Sequence, residues 1–448
     1  MKKYGLIGKT LIHSYSKEIH EALGRYTYDL FSLAEDEVSA FIDTTDFGGL
    51  NVTIPYKQLV IPLCDEVSEL AAAIGAVNTL YFAPAGPDEP GRYGAGRKLV
   101  GHNTDYEGFL YAAKRADIGF SGKNVLILGT GGTSLMVRKA AADRGAARIF
   151  IASRSSSPKN ADSAAAAACG CEITHLTYPE LADIADDIDI IVNTTPVGTF
   201  PNNMQSIIEL SDFPHCEAAM DVIYNPFRTK LLLDAQRLGI RYSNGLPMLV
   251  AQATAAAGYF LGTPDAFYSE NERIISKLKS QMKNIVLIGM PGCGKSTLGR
   301  LLAEKTGKDF VDMDDEIIKR AGMPIPEIFE KSGEQHFRDL ESETALALGS
   351  ERGLVIATGG GAVLRPQNID ALRQNGTIIH ITRPVSSLPT DGRPLSTDTA
   401  ALEKMEAERL PLYQAAADIT FDNSKILTEK ELKAAADVIC KEVSDHDR

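Results

Sequence analysis

Two glycine-rich loops, each placed directly after a short apolar run, constrain this chain most. The first is GTGGTS at 129–134 and follows an apolar run at 125–128. The second is GMPGCGKS at 289–296 and follows an apolar run at 285–288. Each arrangement predicts a buried strand, a turn and a helix, which points backbone N–H groups at a bound phosphate. Only the second loop ends in lysine and serine, so the first predicts a dinucleotide site and the second a triphosphate site.

The size and composition of the chain fit a soluble protein of several domains. At 448 residues it is long enough for roughly three domains of ~150 residues. Hydrophobic residues make up 44% and charged residues 23%, as in ordinary globular proteins. The formal net charge of −13 argues against a nucleic acid or an anionic membrane as partner. A pocket for an anionic substrate must therefore be built from particular arginines and lysines.

The cysteines and the N-terminal segment indicate a reducing compartment. Six cysteines are scattered along the chain, only Cys169 and Cys171 are close together, and no histidine is spaced to bind zinc with them. We therefore expect free thiols. Residues 1–14 hold three lysines but no apolar core of a signal peptide, and no apolar stretch is long enough to span a bilayer. These features predict a cytoplasmic protein.

The order of apolar runs predicts an α/β fold in both halves. Apolar runs alternate with helical patterns between 103 and about 242, which is typical of a doubly wound parallel sheet. Its expected strands are 125–128, 148–152, 188–193 and 218–222. A Gly- and Pro-rich segment at 85–98 predicts a hairpin or surface loop, and an alanine-rich run at 163–168 predicts a helix on the sheet.

A charged segment at 269–284 predicts the boundary between two enzymes. It lies between an apolar helical run at 248–261 and the strand that precedes the second glycine loop. The predicted division is a first lobe at 1–102 completed by 246–268, a Rossmann-like dinucleotide domain at 103–245, a linker at 269–283 and a P-loop domain with a parallel sheet at 284–448.

The segment after the next predicted strand indicates which dinucleotide the first loop binds. The loop itself departs from G-x-G-x-x-G, because Ser134 occupies the third glycine position. Ser153, Arg154 and Ser155 follow the strand, where an NAD site usually has an acid for the ribose hydroxyl. Arginine flanked by hydroxyls suits a 2′-phosphate, so we expect NADP(H). The alternative is that Arg154 is an ordinary solvated arginine.

Five short strings, in a fixed order, resemble shikimate dehydrogenase over residues 1 to about 270. They are HSYS at 13–16, NVTIPYK at 51–57, GAVNT at 75–79, NTD at 103–105 and GLPMLVAQA at 245–253. The resemblance implies reduction of 3-dehydroshikimate to shikimate by NADPH. It also implies that Lys57 donates the proton to the ketone oxygen and that Asp105 orients it. Taken alone, Lys57 would be an ordinary surface lysine.

The same resemblance assigns binding roles to further residues. Hydroxyl and amide donors suit a small polyol acid, and the implied substrate residues are Ser14, Ser16, Thr53, Asn78, Asp105, Tyr224 and Gln252. Ser14 and Ser16 could instead cap a helix. Pro158 stands where the family often has a second basic residue, which leaves the strictness of the NADP preference open. The implied NADP residues are Glu69, Gly129, Thr130, Gly131, Gly132, Thr133, Ser153, Arg154, Ser155, Val222 and Gly245.

The second glycine loop fits the P-loop pattern G-x-x-x-x-G-K-[ST] fully and precedes a helical run at 298–304. Gly292 and Gly294 are expected to surround the phosphates, Lys295 to bridge them and Ser296 to bind Mg²⁺. Asp312 and Asp314 follow the next predicted strand. Because they are two residues apart, we expect both on one face, one serving Mg²⁺ and one accepting the proton of an attacking hydroxyl. The alternative is an acidic helix N-terminus.

Four later strings resemble shikimate kinase from about residue 283 onward. They are FRD at 337–339, TGGG at 358–361, GRPL at 392–395 and ERLPLY at 408–413. The resemblance implies phosphorylation of the shikimate 3-hydroxyl by MgATP, with bidentate arginines on the carboxylate. The implied substrate residues are Asp314, Arg338, Gly359, Gly360, Gly361 and Arg409. The nucleotide residues are Gly292, Cys293, Gly294, Lys295, Ser296, Thr297 and the lid arginine Arg393, with Ser296 and Asp312 at the metal.

These expectations combine into one prediction: a bifunctional enzyme of aromatic amino-acid biosynthesis that uses NADP(H), ATP and Mg²⁺. Its small-molecule substrates are 3-dehydroshikimate and shikimate, with no nucleic-acid or membrane partner, and the oligomeric state stays open. One rival is oxidation of quinate joined to a kinase for another hydroxy acid. Another is loss of catalysis in one half, which would then sense a ligand. Presence of Lys57, Asp105, Lys295 and Asp314 argues against the second rival.

Overall fold

The computed structural model describes residues 2–11, 14–86, 96–155, 171–388, 399–424 and 428–446. The chain divides into two compact units. The first unit contains Met1–Thr199, Gln205–Tyr224 and Thr229–Ile275. The second unit contains Phe200–Met204, Asn225–Arg228 and Ser276–Arg448.

The first unit begins with a mixed sheet. Its strands are β1 (Lys3–Gly8), β2 (Asp29–Ser32), β3 (Phe47–Val52), β4 (Glu66–Val67), β5 (Thr79–Pro84) and β6 (Arg97–His102), in the order β2-β1-β3-β5-β6-β4. Strands β5 and β6 are antiparallel neighbours, so the predicted hairpin is confirmed, although 87–95 lie outside the described residues. The accompanying helices are α1 (Ser16–Ala22), α2 (Glu37–Thr44) and α3 (Glu69–Ile74).

A second, fully parallel sheet completes the first unit. Its strands are β7 (Asn124–Leu128), β8 (Arg148–Ser153), β9 (Glu172–Thr177), β10 (Ile190–Asn193), β11 (Ala218–Asp221) and β12 (Arg241–Ser243). The order is β12-β11-β10-β7-β8-β9, which is typical of a doubly wound sheet. Strands β8 and β9 lie on one side of β7, and strands β10 to β12 lie on its other side. The associated helices are α4 (Asp105–Arg115), α5 (Gly132–Asp143), α6 (Lys230–Arg237) and α7 (Gly245–Phe260).

Burial on both faces explains why the strands of this sheet read as continuous apolar runs. Val125, Leu126, Ile127 and Leu128 are all buried, as expected for a central parallel strand covered by helices on each side. The four predicted strands are confirmed, with ends that shift by one or two residues. The helix predicted at 163–168 lies outside the described residues.

Helix α8 (Asn271–Met282) occupies most of the predicted linker. Charged side chains alternate along it with buried Ile274, Ile275 and Leu278, at the spacing of an amphipathic helix. The division between the two units falls within it, after Ile275. The finer boundaries of the predicted domains stay a prediction.

The second unit is built on a five-stranded parallel sheet. Its strands are β13 (Asn284–Ile288), β14 (Asp309–Asp312), β15 (Leu354–Ala357), β16 (Gly376–Thr382) and β17 (Ile419–Asp422), in the order β14-β15-β13-β16-β17. Strand β13 is central, and its residues Val286, Leu287 and Ile288 are fully buried. The helices are α9 (Lys295–Thr306), α10 (Met313–Ala321), α11 (Ile325–Ser350), α12 (Pro366–Arg373), α13 (Thr399–Ala416) and α14 (Glu429–His446).

The composition led to expectations about the cysteines and about membrane-spanning helices. Cys64, Cys171, Cys216, Cys293 and Cys440 are free thiols there. Burial raises the pKa of Cys64 to about 12 and that of Cys216 to about 11. In the same residues, none of the helices is both long enough and apolar enough to cross a membrane.

Candidate active sites

A cavity of about 560 Å³ in the first unit gathers the residues predicted to bind the first substrate. We call it the hydroxyl cavity, because its polar lining consists mainly of hydroxyl and amide side chains. All eight residues predicted for substrate and proton transfer line it: Ser14, Ser16, Thr53, Lys57, Asn78, Asp105, Tyr224 and Gln252. Ser16, Asp105 and Gln252 lie on helices α1, α4 and α7, and the other five residues lie in loops, so the fold brings together residues that are far apart in sequence.

The predicted proton donor forms an ion pair in this cavity. Lys57 Nζ lies 2.6 Å from Asp105 Oδ2, and the side chains are 21% and 15% exposed. Asp105 is the first residue of α4, where the helix dipole stabilises a carboxylate. Lys57 follows β3 in the NVTIPYK string. The pair keeps the ammonium group at the cavity wall while leaving it in reach of water.

Two serines approach the cavity at the start of α1. Ser14 Oγ donates to Ser16 Oγ at 3.1 Å and accepts the backbone N–H of Ser16 at 3.3 Å. The formal N-cap, Tyr15, makes no side-chain cap bond. The capping alternative is therefore realised in part, because Ser14 satisfies one N–H group of the helix while still lining the cavity.

A second cavity, of about 400 Å³, lies beside the first glycine loop, and we call it the glycine-loop cavity. Thr130, Gly131 and Gly132 line it. A Cβ built at either of the two glycines would meet open space, so the loop leaves a cradle for a pyrophosphate. Gly129 has a φ of +106°, and a Cβ there would come 2.8 Å from Thr195 Cγ2. Lys57 lines this cavity as well as the hydroxyl cavity.

The remaining predicted cofactor residues occupy several places. Val222 and Gly245 line the hydroxyl cavity, and Thr133 lies at the start of α5. Ser153 ends β8, and its hydroxyl donates to the carbonyl oxygen of Ser155 at 2.6 Å. Exposed Arg154, Ser155 and Glu69 line neither cavity, so their predicted roles stay predictions. Pro158 lies outside the described residues.

Several wall residues of these cavities were not predicted. Arg138 and His175 line the glycine-loop cavity, and Thr10 and Asn51 line the hydroxyl cavity. Arg138 is four residues after Ser134 on α5, a spacing that places both on one helix face and could have indicated it. His175 comes from the separate strand β9, for which the local sequence gives no signal.

The second unit contains a cavity of about 660 Å³, which we call the arginine cavity. Its lining combines the phosphate loop with the residues predicted for the second substrate. It includes Gly292, Gly294, Lys295, Ser296, Thr297, Asp312, Asp314, Arg338, Gly359, Gly360, Gly361 and Arg409. Cys293 is fully buried instead, and its carbonyl oxygen accepts the Asn423 amide at 2.6 Å. Arg393 lies outside the described residues.

The phosphate loop carries a lysine and a possible pair of metal ligands. Lys295 Nζ donates to the carbonyl oxygens of Gly289 and Met290 at 2.9 and 3.0 Å. Ser296 Oγ donates to Asp312 Oδ2 at 2.6 Å. A hydroxyl beside a carboxylate fits Mg²⁺, which prefers oxygen ligands and usually binds through few protein groups together with phosphates.

Asp312 and Asp314 both line the arginine cavity, but the reason given from strand alternation was wrong. Strand β14 ends at Asp312 and helix α10 begins at Met313, so Asp314 is helical. Asp312 is the N-cap, and its Oδ1 accepts the N–H of Asp314 at 3.1 Å. The acidic helix N-terminus and the cavity wall are thus the same structure.

Two buried arginines line the other side of this cavity. Arg338 Nη1 lies 2.9 Å from Glu341 Oε2, and Arg409 Nη1 donates to the Gly360 carbonyl at 3.0 Å. A Cβ at Gly361 would lie 2.1 Å from Arg338 Nη1, so a larger residue there would displace the guanidinium group. Burial raises the pKa of the Glu341 carboxyl, although Arg338 lowers it. Glu341 was not predicted, although its place three residues after Arg338 on α11 could have indicated it.

Comparisons with known proteins match both halves of the chain. Residues 6–80 match the shikimate dehydrogenase substrate binding domain and residues 291–441 match the shikimate kinase family. The "Shikimate dehydrogenase (NADP(+))" of Clostridium perfringens (strain 13 / Type A) is 33% identical over 287 residues, covering 62% of this chain and 99% of that protein. The "Shikimate kinase" of Nitrosomonas europaea is 43% identical over 150 residues, covering 32% of this chain and 71% of that protein.

Solved structures resemble the same part of the chain as the dehydrogenase relatives. Shikimate dehydrogenase 1 from Peptoclostridium difficile has a TM-score of 0.53 and 30% identity, covering 62% of this chain and 98% of its own. A quinate dehydrogenase from Corynebacterium glutamicum in complex with NAD has a TM-score of 0.53 and 29% identity, covering 62% and 99%. The chain therefore belongs to the shikimate dehydrogenase (NADP(+)) family in its N-terminal part and to the shikimate kinase family in its C-terminal part, an NADP-linked oxidoreductase and an ATP- and Mg²⁺-dependent kinase of the shikimate pathway joined in one polypeptide.

Proposed function

We propose that the two sites act on the same molecule in consecutive steps. The first reduces 3-dehydroshikimate to shikimate with NADPH, and the second phosphorylates shikimate at its 3-hydroxyl with MgATP. The observation that carries the first step is Lys57, which lines both the hydroxyl cavity and the glycine-loop cavity. The proposed domains are those predicted from the sequence, namely 1–102 with 246–268, 103–245, the linker 269–283 and 284–448.

In the first step, the bound NADPH supplies a hydride to the ketone carbon. Lys57 donates a proton to the ketone oxygen, which would otherwise carry a full negative charge, and Asp105 holds the ammonium group in place at 2.6 Å. In the reverse direction, Lys57 accepts the proton of the substrate hydroxyl. Because the pair is partly exposed, the lysine can exchange its proton with water between turnovers.

Substrate selection in the hydroxyl cavity depends on neutral polar groups. Ser14 and Ser16 are proposed to bind the carboxylate, and Thr53, Asn78 and Gln252 to bind ring hydroxyls. Ser16, Asn78 and Gln252 are buried and each makes at least one hydrogen bond within the protein, so a substrate that lacks a matching hydroxyl would leave only their remaining hydrogen-bonding capacity unsatisfied. Such losses discriminate strongly between analogues.

In the second step, bound MgATP supplies the phosphoryl group. Asp314 is proposed to accept the proton of the attacking hydroxyl, while Arg338 and Arg409 bind the carboxylate of shikimate. Lys295 is proposed to bind the phosphates, and Ser296 and Asp312 to hold Mg²⁺. Arginine keeps its charge at any pH at which the protein is folded, which suits a fixed anion clamp.

The main test is a coupled assay of the full chain with 3-dehydroshikimate, NADPH and MgATP, in which NADPH loss and ADP formation are both followed. We expect ADP to form only as oxidation of NADPH produces shikimate, the substrate of the kinase. Lys57→Ala should lower shikimate oxidation by about 10²- to 10⁴-fold and spare phosphorylation of added shikimate. Lys295→Ala should do the reverse. Lys98→Ala and Lys305→Ala, which remove surface lysines of the same units, are the matched controls. Loss of both activities in either folded variant would contradict separate sites.

Quinate is a second candidate substrate for the dehydrogenase, favoured by the likeness to a quinate dehydrogenase. Initial rates with shikimate and quinate, each with NADP⁺ and NAD⁺, distinguish the two. We expect shikimate with NADP⁺ to give the highest kcat/KM. A higher value with quinate would overturn the proposed substrate.

We also propose a cytoplasmic location. The free thiols in the described residues support it, since the cysteines of secreted proteins are usually paired in disulfides. Fractionation of cells that produce the chain, followed by the coupled assay, would reveal a different compartment.

A further inference from the structure

Asp221 is a buried carboxylate that links the ends of two neighbouring strands. It ends β11 and is 2% exposed. Its oxygens accept the side-chain amide of Asn193, the last residue of β10, at 3.1 and 3.2 Å. They also accept the backbone N–H of Ile223 at 3.0 Å and the hydroxyl of Thr229 at 2.7 Å. One side chain therefore ties β10, β11 and the start of α6 together.

The backbone that Asp221 holds carries part of the substrate wall. Val222 and Tyr224 line the hydroxyl cavity on either side of Ile223. The Ile223 carbonyl accepts the N–H of Gly245, another wall residue, at 2.9 Å. Asp221 itself does not line the hydroxyl cavity. It can thus act on the substrate only through the segment that it positions.

Among the described residues, the hydrogen-bond partners of Asp221 are all donors, and none of them is a cation. A cavity of about 10 Å³ beside it is otherwise lined by uncharged residues, among them Gln205 and Ser206. The ionisable residues of the adjacent helix α6 are Lys230, Asp234 and Arg237, and Asp234 pairs with both cations. Burial without a cationic partner raises the pKa of Asp221 to about 7, although its hydrogen bonds oppose the rise.

The hydrogen-bond pattern fits the ionised carboxylate. An ionised aspartate only accepts hydrogen bonds, whereas a protonated one must donate from one oxygen. The Asn193 amide nitrogen and the Ile223 N–H cannot accept a hydrogen bond. When Asp221 is protonated, Thr229 is therefore the partner among these three that can change from donor to acceptor. If Thr229 reverses its bond to Oδ2, the Ile223 N–H keeps its bond to Oδ1, but that oxygen no longer carries charge. Because charge-assisted hydrogen bonds are roughly twice as strong as neutral ones, ionisation strengthens the bond that fixes Ile223.

We infer that Asp221 is a positioning residue of the dehydrogenase, whose ionised form fixes the Val222–Tyr224 wall of the hydroxyl cavity and whose protonation loosens it. This inference rests on the proposed reduction of 3-dehydroshikimate. It predicts that kcat/KM for shikimate falls as the pH drops through about 7, because the charge that strengthens the bond to the wall segment is lost.

The test compares Asp221→Asn with wild type in the full chain, with NADP⁺ and shikimate from pH 6 to 9. At pH 8 we expect roughly a tenfold lower kcat/KM, corresponding to the loss of about one hydrogen bond to a charged group. We also expect the variant to lack the step near pH 7. Asp212→Asn, which changes an exposed aspartate of the same unit, is the matched control. Unchanged kinase activity checks that the preparation is folded in the second unit.

A second variant keeps the inference testable if Asp221→Asn does not fold. Thr229→Val removes one donor to the carboxylate, and the Thr229 side chain makes no cap bond to α6. Because that donor lowers the pKa of Asp221, we expect the step to move to higher pH. A wild-type profile in either folded variant would overturn the inference while leaving the proposed function intact. An inactive wild type would overturn the proposed function itself.

Discussion

The two substrate cavities are proposed to bind the same acid, yet they differ in how they use charge. Among the described lining residues of the hydroxyl cavity, Lys57 and Asp105 are the charged ones, and they pair with each other. The arginine cavity holds three cations and three carboxylates, and the side chains of Arg338 and Glu341 are only 8% and 1% exposed. The difference follows from the chemistry: the reductase needs a cation that gives up a proton, whereas the kinase needs cations that never do.

The largest expected effect is at Arg338, one of the two buried arginines proposed to bind the substrate carboxylate in the kinase. Arg338→Met removes one of the two cations proposed to bind the substrate carboxylate and leaves Glu341 without its partner, and such truncations cost about 2–5 kcal/mol in binding. We therefore expect kcat/KM for phosphorylation of shikimate to fall by roughly 10²- to 10³-fold. Shikimate oxidation should be unchanged, and Arg300→Met, on the exposed face of α9, is the control. If the kinase activity of Arg338→Met stays within tenfold of wild type, Arg338 is not part of an anion clamp, and this difference between the two cavities is lost.

An intermediate effect is expected at the ion pair of Lys57 and Asp105 in the hydroxyl cavity. Asp105→Asn removes the charge that holds Lys57 but preserves the shape of the side chain. We expect kcat for shikimate oxidation to fall by about 10²-fold, near the lower end of what acid–base catalysis contributes. Glu66→Gln, which removes the surface partner of Lys98, is the matched control. If kcat is unchanged and only KM rises, Asp105 binds substrate without orienting the lysine.

The smallest effect is expected from the neutral groups. Ser16→Ala should raise KM for shikimate roughly tenfold with little change in kcat, because a hydrogen bond to a charged group contributes about 1.5–3 kcal/mol and Ser14 remains to bind the carboxylate. Ser39→Ala, on an exposed part of α2, is the control. An effect as large as that of Arg338→Met would mean that the two cavities do not differ in the way described.

The sequence predicted most of the fold and most of both cavities, for two different reasons. Apolar runs located the strands because parallel strands buried on both faces contain few polar residues. The resemblance, rather than spacing, joined Lys57 to Asp105, which are 48 positions apart. Reasoning from local spacing failed at Asp314, because the chain changes from strand to helix at Met313. Glu341 and Asp221 escaped because their importance depends on burial, which tertiary packing creates.

The position of Lys57 has a thermodynamic consequence for ligand binding. A side chain that forms part of two cavities has different surroundings when either one is filled. The affinity of the enzyme for shikimate should then depend on whether NADP⁺ is bound. Linkage requires the affinity for NADP⁺ to change by the same factor when shikimate binds first. Two calorimetric titrations, in opposite orders of addition, would measure a single coupling free energy, and Lys57→Met should reduce it.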